Sequence, residues 1–300
     1  MFYLAAYKIA MPDITEIHTV PSQVAPERLQ EYGVGVFYTL PTKSALKKAL
    51  KKEYITVNGV TASTATIIRG GEIVRLCVPE EKKQLKQLVF PLKVLFEDEY
   101  LALIHKPAGI LVSGNSFYTI ANALVQNLRP SNQADAAKPQ PVHRLDYATT
   151  GILLVGKTSG CIRALNKMFE DKEVKKTYYA VAIGLMEKEG TITTPVDAKE
   201  AVSFFKVIRT VESPRFNKLN LVQLDPKTGR RHQLRKHLHS IGSPILGDKE
   251  YYLKDLVLNG KGVYLHAYAL KFMHPVTKEP IEIIDPLPGK FQKIFPDQTN

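Results

Sequence analysis

His143-Arg144-Leu145-Asp146-Tyr147-Ala148-Thr149-Thr150-Gly151 runs directly into the apolar stretch Ile152-Leu153-Leu154-Val155. A short apolar run bounded by turn residues predicts a buried strand. The four residues that open the stretch hold a histidine, an arginine and an aspartate. Fixed charge therefore stands at the rim of the core, where binding and catalytic groups tend to gather. Taken alone, an Arg-x-Asp pair is more readily a solvated ion pair than a site. Two later stretches reverse that reading.

Outward from this point, the chain's bounds are set by size and charge. Three hundred residues suffice for one large domain or two smaller ones with real cores. No apolar run approaches the roughly 18 residues that span a bilayer, and Met1 to Ala10 has no signal-peptide pattern. Cys77 and Cys161 lie far apart, which excludes a disulfide scaffold and suits a reducing cytoplasm. Forty-one Lys and Arg against 29 Asp and Glu give a net charge of +12. Such an excess favours a polyanionic partner without naming one.

Before the organising stretch, Pro12, Pro21 and Pro26 break any long helix, so residues 1–30 read as an extension. Pro41-Thr42-Lys43-Ser44 then precedes Ala45 to Lys52, with Thr42 or Ser44 available as N-cap. Leu46, Ala49 and Leu50 share one helical face, and Lys47, Lys48, Lys51 and Lys52 crowd the rest. Ile55-Thr56-Val57 enters an Asn58-Gly59 turn, and Arg69-Gly70-Gly71 leads into Glu72 to Leu76 as a further strand. Residues 80–90 are polar and charged and read as a linker between a module over 31–79 and a domain over 91–300.

In that second domain Val94 to Ile104 reads as a hairpin turning on Glu97, Asp98 and Glu99, ending at His105-Lys106-Pro107-Ala108-Gly109. Thr119 to Leu128 predicts a helix, and Ser131 to Pro141 a loop. Gly151 to Thr158 fits the phosphate-loop pattern G-x-x-x-x-G-K-[ST] letter for letter. Its middle is Ile-Leu-Leu-Val, which buries itself as strand instead of offering backbone donors to phosphate, so nucleotide binding through Lys157 is rejected. Ser159 to Glu173 predicts a helix. Lys175 to Gly184 predicts a strand with Tyr178, Ala180 and Ala182 on one face. Further strand material fills Gly190 to Ser213 and Leu219 to Leu224. Arg230-Arg231-His232-Gln233-Leu234-Arg235-Lys236-His237 follows the turn at Asp225 to Gly229. His232 and His237 stand about 140° apart on a helix at 100° per residue, and no glutamate follows His232 as in H-E-x-x-H, so no metal is expected.

Three of these stretches together carry a resemblance. His143 to Leu154, "KTYYAVAIG" at 176–184 and "TGRRHQLRKHLHSIGSPILGD" at 228–248 are similar, in order, to the motifs of the RluA-type pseudouridine synthases. Thr150 replaces the usual serine and Arg231 the usual threonine. "EDEYLALIHKPAG" at 97–109 resembles the family's opening motif, and the likeness extends over about Val94 to Pro288. The basic helix, "ITVNG" and "GGEIVRL" resemble the small RNA-binding module named after ribosomal protein S-four.

The resemblance implies an α+β fold: a pseudouridine synthase catalytic domain with a mixed, largely antiparallel central sheet and flanking helices, plus a small N-terminal α/β RNA-binding module. It implies an enzyme that isomerises uridines in structured RNA, ribosomal or transfer; the cysteine usage sets the expectation of a cytoplasmic protein, and a monomer is the default. Asp146 becomes the catalytic aspartate, Tyr178 the active-site tyrosine and Arg235 the basic partner of Asp146. Arg144 either fills the gap left by the extruded base or contacts phosphate. His143, Lys106, Arg230, Lys47, Lys48 and Lys51 are the other expected RNA contacts. No group is oxidised or lost in the isomerisation, so no cofactor is expected. The alternative is an RNA-binding or ribosome-assembly protein that keeps the fold without turnover.

Overall fold

In the computed structural model, which describes residues 14–22, 25–78, 88–254 and 256–296, the chain divides into two units, Met1–Leu85 and Lys86–Asn300. Residues 1–13 of the expected extension and 80–87 of the expected linker lie outside the described residues.

The first unit runs β1 (Ile14–Thr19), β2 (Glu27–Arg28), α1 (Leu29–Tyr32), α2 (Lys43–Lys51), β3 (Ile55–Val57), β4 (Val60–Thr61), β5 (Ile67–Ile68) and β6 (Ile73–Val78). Thr42 caps α2, its hydroxyl accepting from the Ala45 N–H at 3.2 Å. The helix buries Leu46, Ala49 and Leu50 against Ile55, Val74 and Leu76. Burying each leucine is worth about 1.5–3 kcal/mol. Lys48 and Lys51 are left exposed and Lys47 half-buried. The Asn-Gly turn forms as expected, with Asn58 at φ 50° and Gly59 at φ 82°. One expectation is corrected. Residues 14–19 belong to the sheet, because β1 pairs antiparallel with β6 along its whole length in the order β1-β6-β3-β4. Pro12 and Pro21 bracket that strand and leave its interior free to pair.

The second unit runs β7 (Val94–Glu97), β8 (Leu101–Lys106), α3 (Ile120–Asn127), β9 (Ala136–Pro141), β10 (Thr150–Thr158), α4 (Ser159–Glu170), β11 (Lys175–Ile183), β12 (Glu189–Ile192), β13 (Ser203–Ser213), β14 (Asn217–Pro226), α5 (Gln233–Ser240), β15 (Leu265–Met273), β16 (Pro280–Ile284) and α6 (Gly289–Gln292). One sheet takes the order β12-β13-β14-β11-β15-β10-β8-β7, with β16 on β15 and β9 on β10. This is an α+β architecture.

All nine residues of β10 are buried. Leu101, Leu103, Ile152 and Leu154 pack on one face with Cys161 and Leu165 of α4. Ala102, Ile104, Leu153 and Val155 pack on the other with Ile120 and Leu124 of α3. Alternation along two paired strands thus feeds two separate cores. The pairing of β10 with β15 is the sheet's parallel one, at Thr150↔His266 and Gly151↔Ala267. Gly151 permits it: at φ 115°, a Cβ there would lie 2.3 Å from the Ala267 carbonyl oxygen.

The expected loop over 131–141 is corrected, since residues 136–141 form β9, paired with β10. Prolines hid it, yet an edge strand tolerates residues without an N–H. Lys157 meets the expectation that the phosphate-loop pattern is strand. It is 2% exposed, and its ammonium donates to Glu97 at 2.7 Å and to the Asp98 carbonyl at 2.5 Å.

Candidate active site

Asp146 stands on the irregular segment 142–149 that delivers the chain to β10, and that segment is pinned from several sides. Leu145 is buried in the α3-side core. The Gly109 N–H donates to the Tyr147 carbonyl at 2.8 Å. Lys106, expected as an RNA contact, is instead fully buried. Its ammonium donates to the carbonyls of Pro107 at 2.9 Å, Thr149 at 2.9 Å and Tyr147 at 3.4 Å. Burial brings its pKa down to about 8, against the opposing pull of Asp146. It holds the Asp146 segment and has no face left for a phosphate.

His143 is corrected in the same way. Its Nε2 accepts the Leu154 N–H at 2.9 Å, and its ring stacks on Phe169 at 4.7 Å. Burial, with the Lys176 charge beside it, pushes its pKa down to about 3. A neutral ring bonded to β10 is a strut and not an anion contact. At the strand's start the Thr150 hydroxyl lies 2.8 Å from His266 Nδ1, so the group shared by serine and threonine is in use.

The Asp146 side chain, 17% exposed, faces two groups brought by the far stretch at 228–248. Arg235 Nη1 lies 3.9 Å from its Oδ2, and His232 Nε2 lies 3.8 Å from its Oδ1. Both distances exceed hydrogen-bond reach. The tighter partner of Arg235 is Asp248, which accepts Nε and Nη2 at 2.6 and 2.8 Å. This fork is the bidentate geometry that fixes a guanidinium plane. Burial opposes charge on Asp248, but its bonds from Arg235 and from the Glu250 and Tyr251 N–H groups win and hold its pKa below the usual range. Arg235 also donates to Glu250 at 3.2 Å and lies over the Tyr251 ring at 4.9 Å.

Tyr178 comes from β11, next to an irregularity in its pairing with β15. Its ring packs against the cores on both sides. Burial, and then the Asp146 charge, push its hydroxyl pKa up, so the phenol keeps its proton.

Asp146, Tyr178 and His232 line one cavity of about 580 Å³. Arg144, Lys172, Lys176, Lys227, Arg230 and Arg231 line it as well. All of these cations are exposed except the half-buried Lys176. Arg230 is steadied by donation to the Glu200 carbonyl at 3.0 Å. A cavity with a carboxylate inside and cations around its mouth suits a polyanion that presents one group to the interior. The sequence reading missed His232 as a site group, along with Asp248, Lys172 and Lys176. The "GD" closing the 228–248 stretch contains Asp248, but nothing in the chain marked it as the partner of the Arg235 guanidinium.

A sequence profile described as RNA pseudouridylate synthase matches residues 100–240. An uncharacterized RNA pseudouridine synthase of Aquifex aeolicus is 30% identical over 94% of this chain and 97% of its own length. The chain belongs to the RluA-type RNA pseudouridine synthases. Similar members include ribosomal large subunit pseudouridine synthase D of Nitrosomonas europaea, 32% identical over 90% of this chain and 84% of that one. Synthase C of Pasteurella multocida is 31% identical over 92% of each. Among solved structures, human RNA pseudouridylate synthase domain containing 4 shares the fold, with a TM-score of 0.52 and 24% identity over 66% of this chain and 90% of that one. The chain is thus an isomerase that acts on RNA. No described helix is long and apolar enough to cross a membrane.

Proposed function

We propose that this synthase converts uridine to pseudouridine in large-subunit ribosomal RNA, with Asp146 as the reacting carboxylate. One observation carries the reading: Asp146 lies inside the cation-ringed cavity, 3.9 Å from an Arg235 whose plane is fixed from behind by Asp248. The names of the synthase C and D relatives supply the RNA class.

The reaction breaks the bond from ribose C1′ to N1, turns the base and joins C1′ to C5. A carboxylate can open it by attacking C1′ or by abstracting a sugar proton, and both routes use the same residue. Nothing is oxidised and no group is lost, so the chemistry calls for no cofactor. Tyr178, with its proton retained, offers a flat ring for the turning base. Arg144 and Arg230 at the mouth meet the backbone of an extruded nucleotide. Lys47, Lys48 and Lys51 on α2 form an S-four-like phosphate-contacting face, and the protein works as a monomer.

Deleting the gene and mapping pseudouridine across ribosomal and transfer RNA tests this reading. Loss at a site in large-subunit RNA, restored by the wild type but not by Asp146→Asn, is the expected result. Loss confined to transfer RNA would redirect the substrate, and rescue by Asp146→Asn would remove that residue from the chemistry.

A further inference from the structure

Isomerisation leaves one proton to be moved. Once C5 has bonded to C1′, it still bears its original hydrogen, and the ring is conjugated again only when that proton leaves. The C5–H electron pair then becomes the C5=C6 bond, the N1=C6 pair returns to N1, and N1 takes a proton from solvent. The cavity must therefore supply a base for the C5 proton.

The geometry points to His232 as that base, its Nε2 taking the C5 proton of the rotated ring. The inference rests on Asp146 being the reacting carboxylate. His232 lines the cavity, and its Nε2 lies 3.8 Å from Asp146 Oδ1. Behind the ring, Nδ1 meets the Tyr251 hydroxyl at 3.1 Å and the Glu250 carboxylate at 3.3 Å. Glu250 can only accept, which puts the hydrogen on Nδ1 and leaves Nε2 bare toward the cavity. A base oriented from behind by a carboxylate is the arrangement that activates histidine elsewhere. The resulting imidazolium lies between Glu250 and Asp146, and passes its proton to water at the end of the cycle.

The backbone adds an independent sign. His232 has φ 55° and is the N-cap of α5, yet its side chain makes no capping bond. A non-glycine residue in the left-handed region is uncommon and persists where its surroundings hold it, often at functional positions. Here that conformation coincides with the ring's place in the cavity beside Asp146.

The test uses full-length protein and total RNA from the deletion strain, grown with uracil carrying hydrogen, deuterium or tritium at C5. Tritium release reports turnover. His232→Asn and His232→Gly both suit the left-handed backbone, so the fold is kept. The expected result is release slowed about 100-fold or more, with RNA affinity retained. A C5 deuterium isotope effect larger than that of the wild type should appear, and added imidazole should restore His232→Gly in part. Wild-type release from His232→Asn, or slow release with no isotope effect and no rescue, would overturn the assignment. An active Asp146→Asn would instead strike at the reacting carboxylate, and the role of His232 would fall with it.

Discussion

Two basic regions of this synthase use their cations in opposite ways. Around Asp146 the deepest ones are buried and committed, Lys106 to backbone carbonyls and Arg235 to Asp248. On α2, Lys47, Lys48 and Lys51 make no ion pair among the described residues. A buried, saturated cation fixes geometry and has no donor to spare, whereas an exposed one lowers the energy of any nearby phosphate and fixes little. Net charge counts the two alike. Only burial separates positioning from attraction.

Substitutions can break that division or sharpen it. The largest effect is expected from Asp146→Asn, which should abolish pseudouridine formation while leaving RNA affinity within a few-fold of wild type in a filter-binding titration. Arg235→Lys comes next. Lysine cannot reproduce the fork on Asp248, so turnover should fall by about 100-fold or more, consistent with a charge clamp in a closed site. Single-turnover kinetics at saturating RNA would check it, and near-normal rates would end the positioning role. Lys106→Met should destabilise the protein by about 1–3 kcal/mol through unsatisfied carbonyls. It should also slow turnover more than it weakens binding, as read from thermal melts and kinetics together.

The exposed face should behave the other way. Changing Lys47, Lys48 and Lys51 together to Gln should weaken RNA binding and flatten its dependence on salt. The slope should shrink by up to about 0.7–0.9 for each phosphate no longer neutralised. Turnover at saturation should not change. A further effect is expected on acid stability. His143 titrates near 3 in the fold against an ordinary 6.5. Between those values the unfolded chain binds the proton and the folded chain does not, so stability rises with pH across the window. The contribution is full above 6.5 and is lost as pH falls toward 3. Melting temperatures of His143→Gln over that range should slope less steeply than those of the wild type.

What the sequence disclosed follows the reach of each signal. The β10 strand, α2 with its Thr42 cap, the Asn58-Gly59 turn and the hairpin at Asp98 all rest on local patterns, and each forms where expected. β1 did not show because its partner β6 lies far along the chain, and β9, which pairs with the next strand, did not show because Pro139 and Pro141 stand within it. Asp146, Tyr178 and Arg235 were visible through family motifs, and the structure brings all three to one place. Lys106 read as exposed because lysine in a Lys-Pro turn normally is. Three carbonyls from two separate segments reverse that, and no local pattern encodes them. His232 was placed inside a helix, where its ring would point elsewhere; the left-handed turn that aims it is a product of the surrounding contacts.

The parallel seam between β10 and β15 also sets an order of events. Every strand of the first unit finds its partner among residues 14–78. Thr150, by contrast, waits for His266, 116 residues downstream. During synthesis from the N-terminus, the second unit must therefore linger with the Asp146 segment unsupported on one side. Distant pairings of this kind also close slowly. A chain stalled before residue 265 would carry Asp146, Tyr178 and Arg235 and still lack the strand that holds the Asp146 segment in place. The seam at Thr150 and Gly151 can close only after His266 and Ala267 have been made.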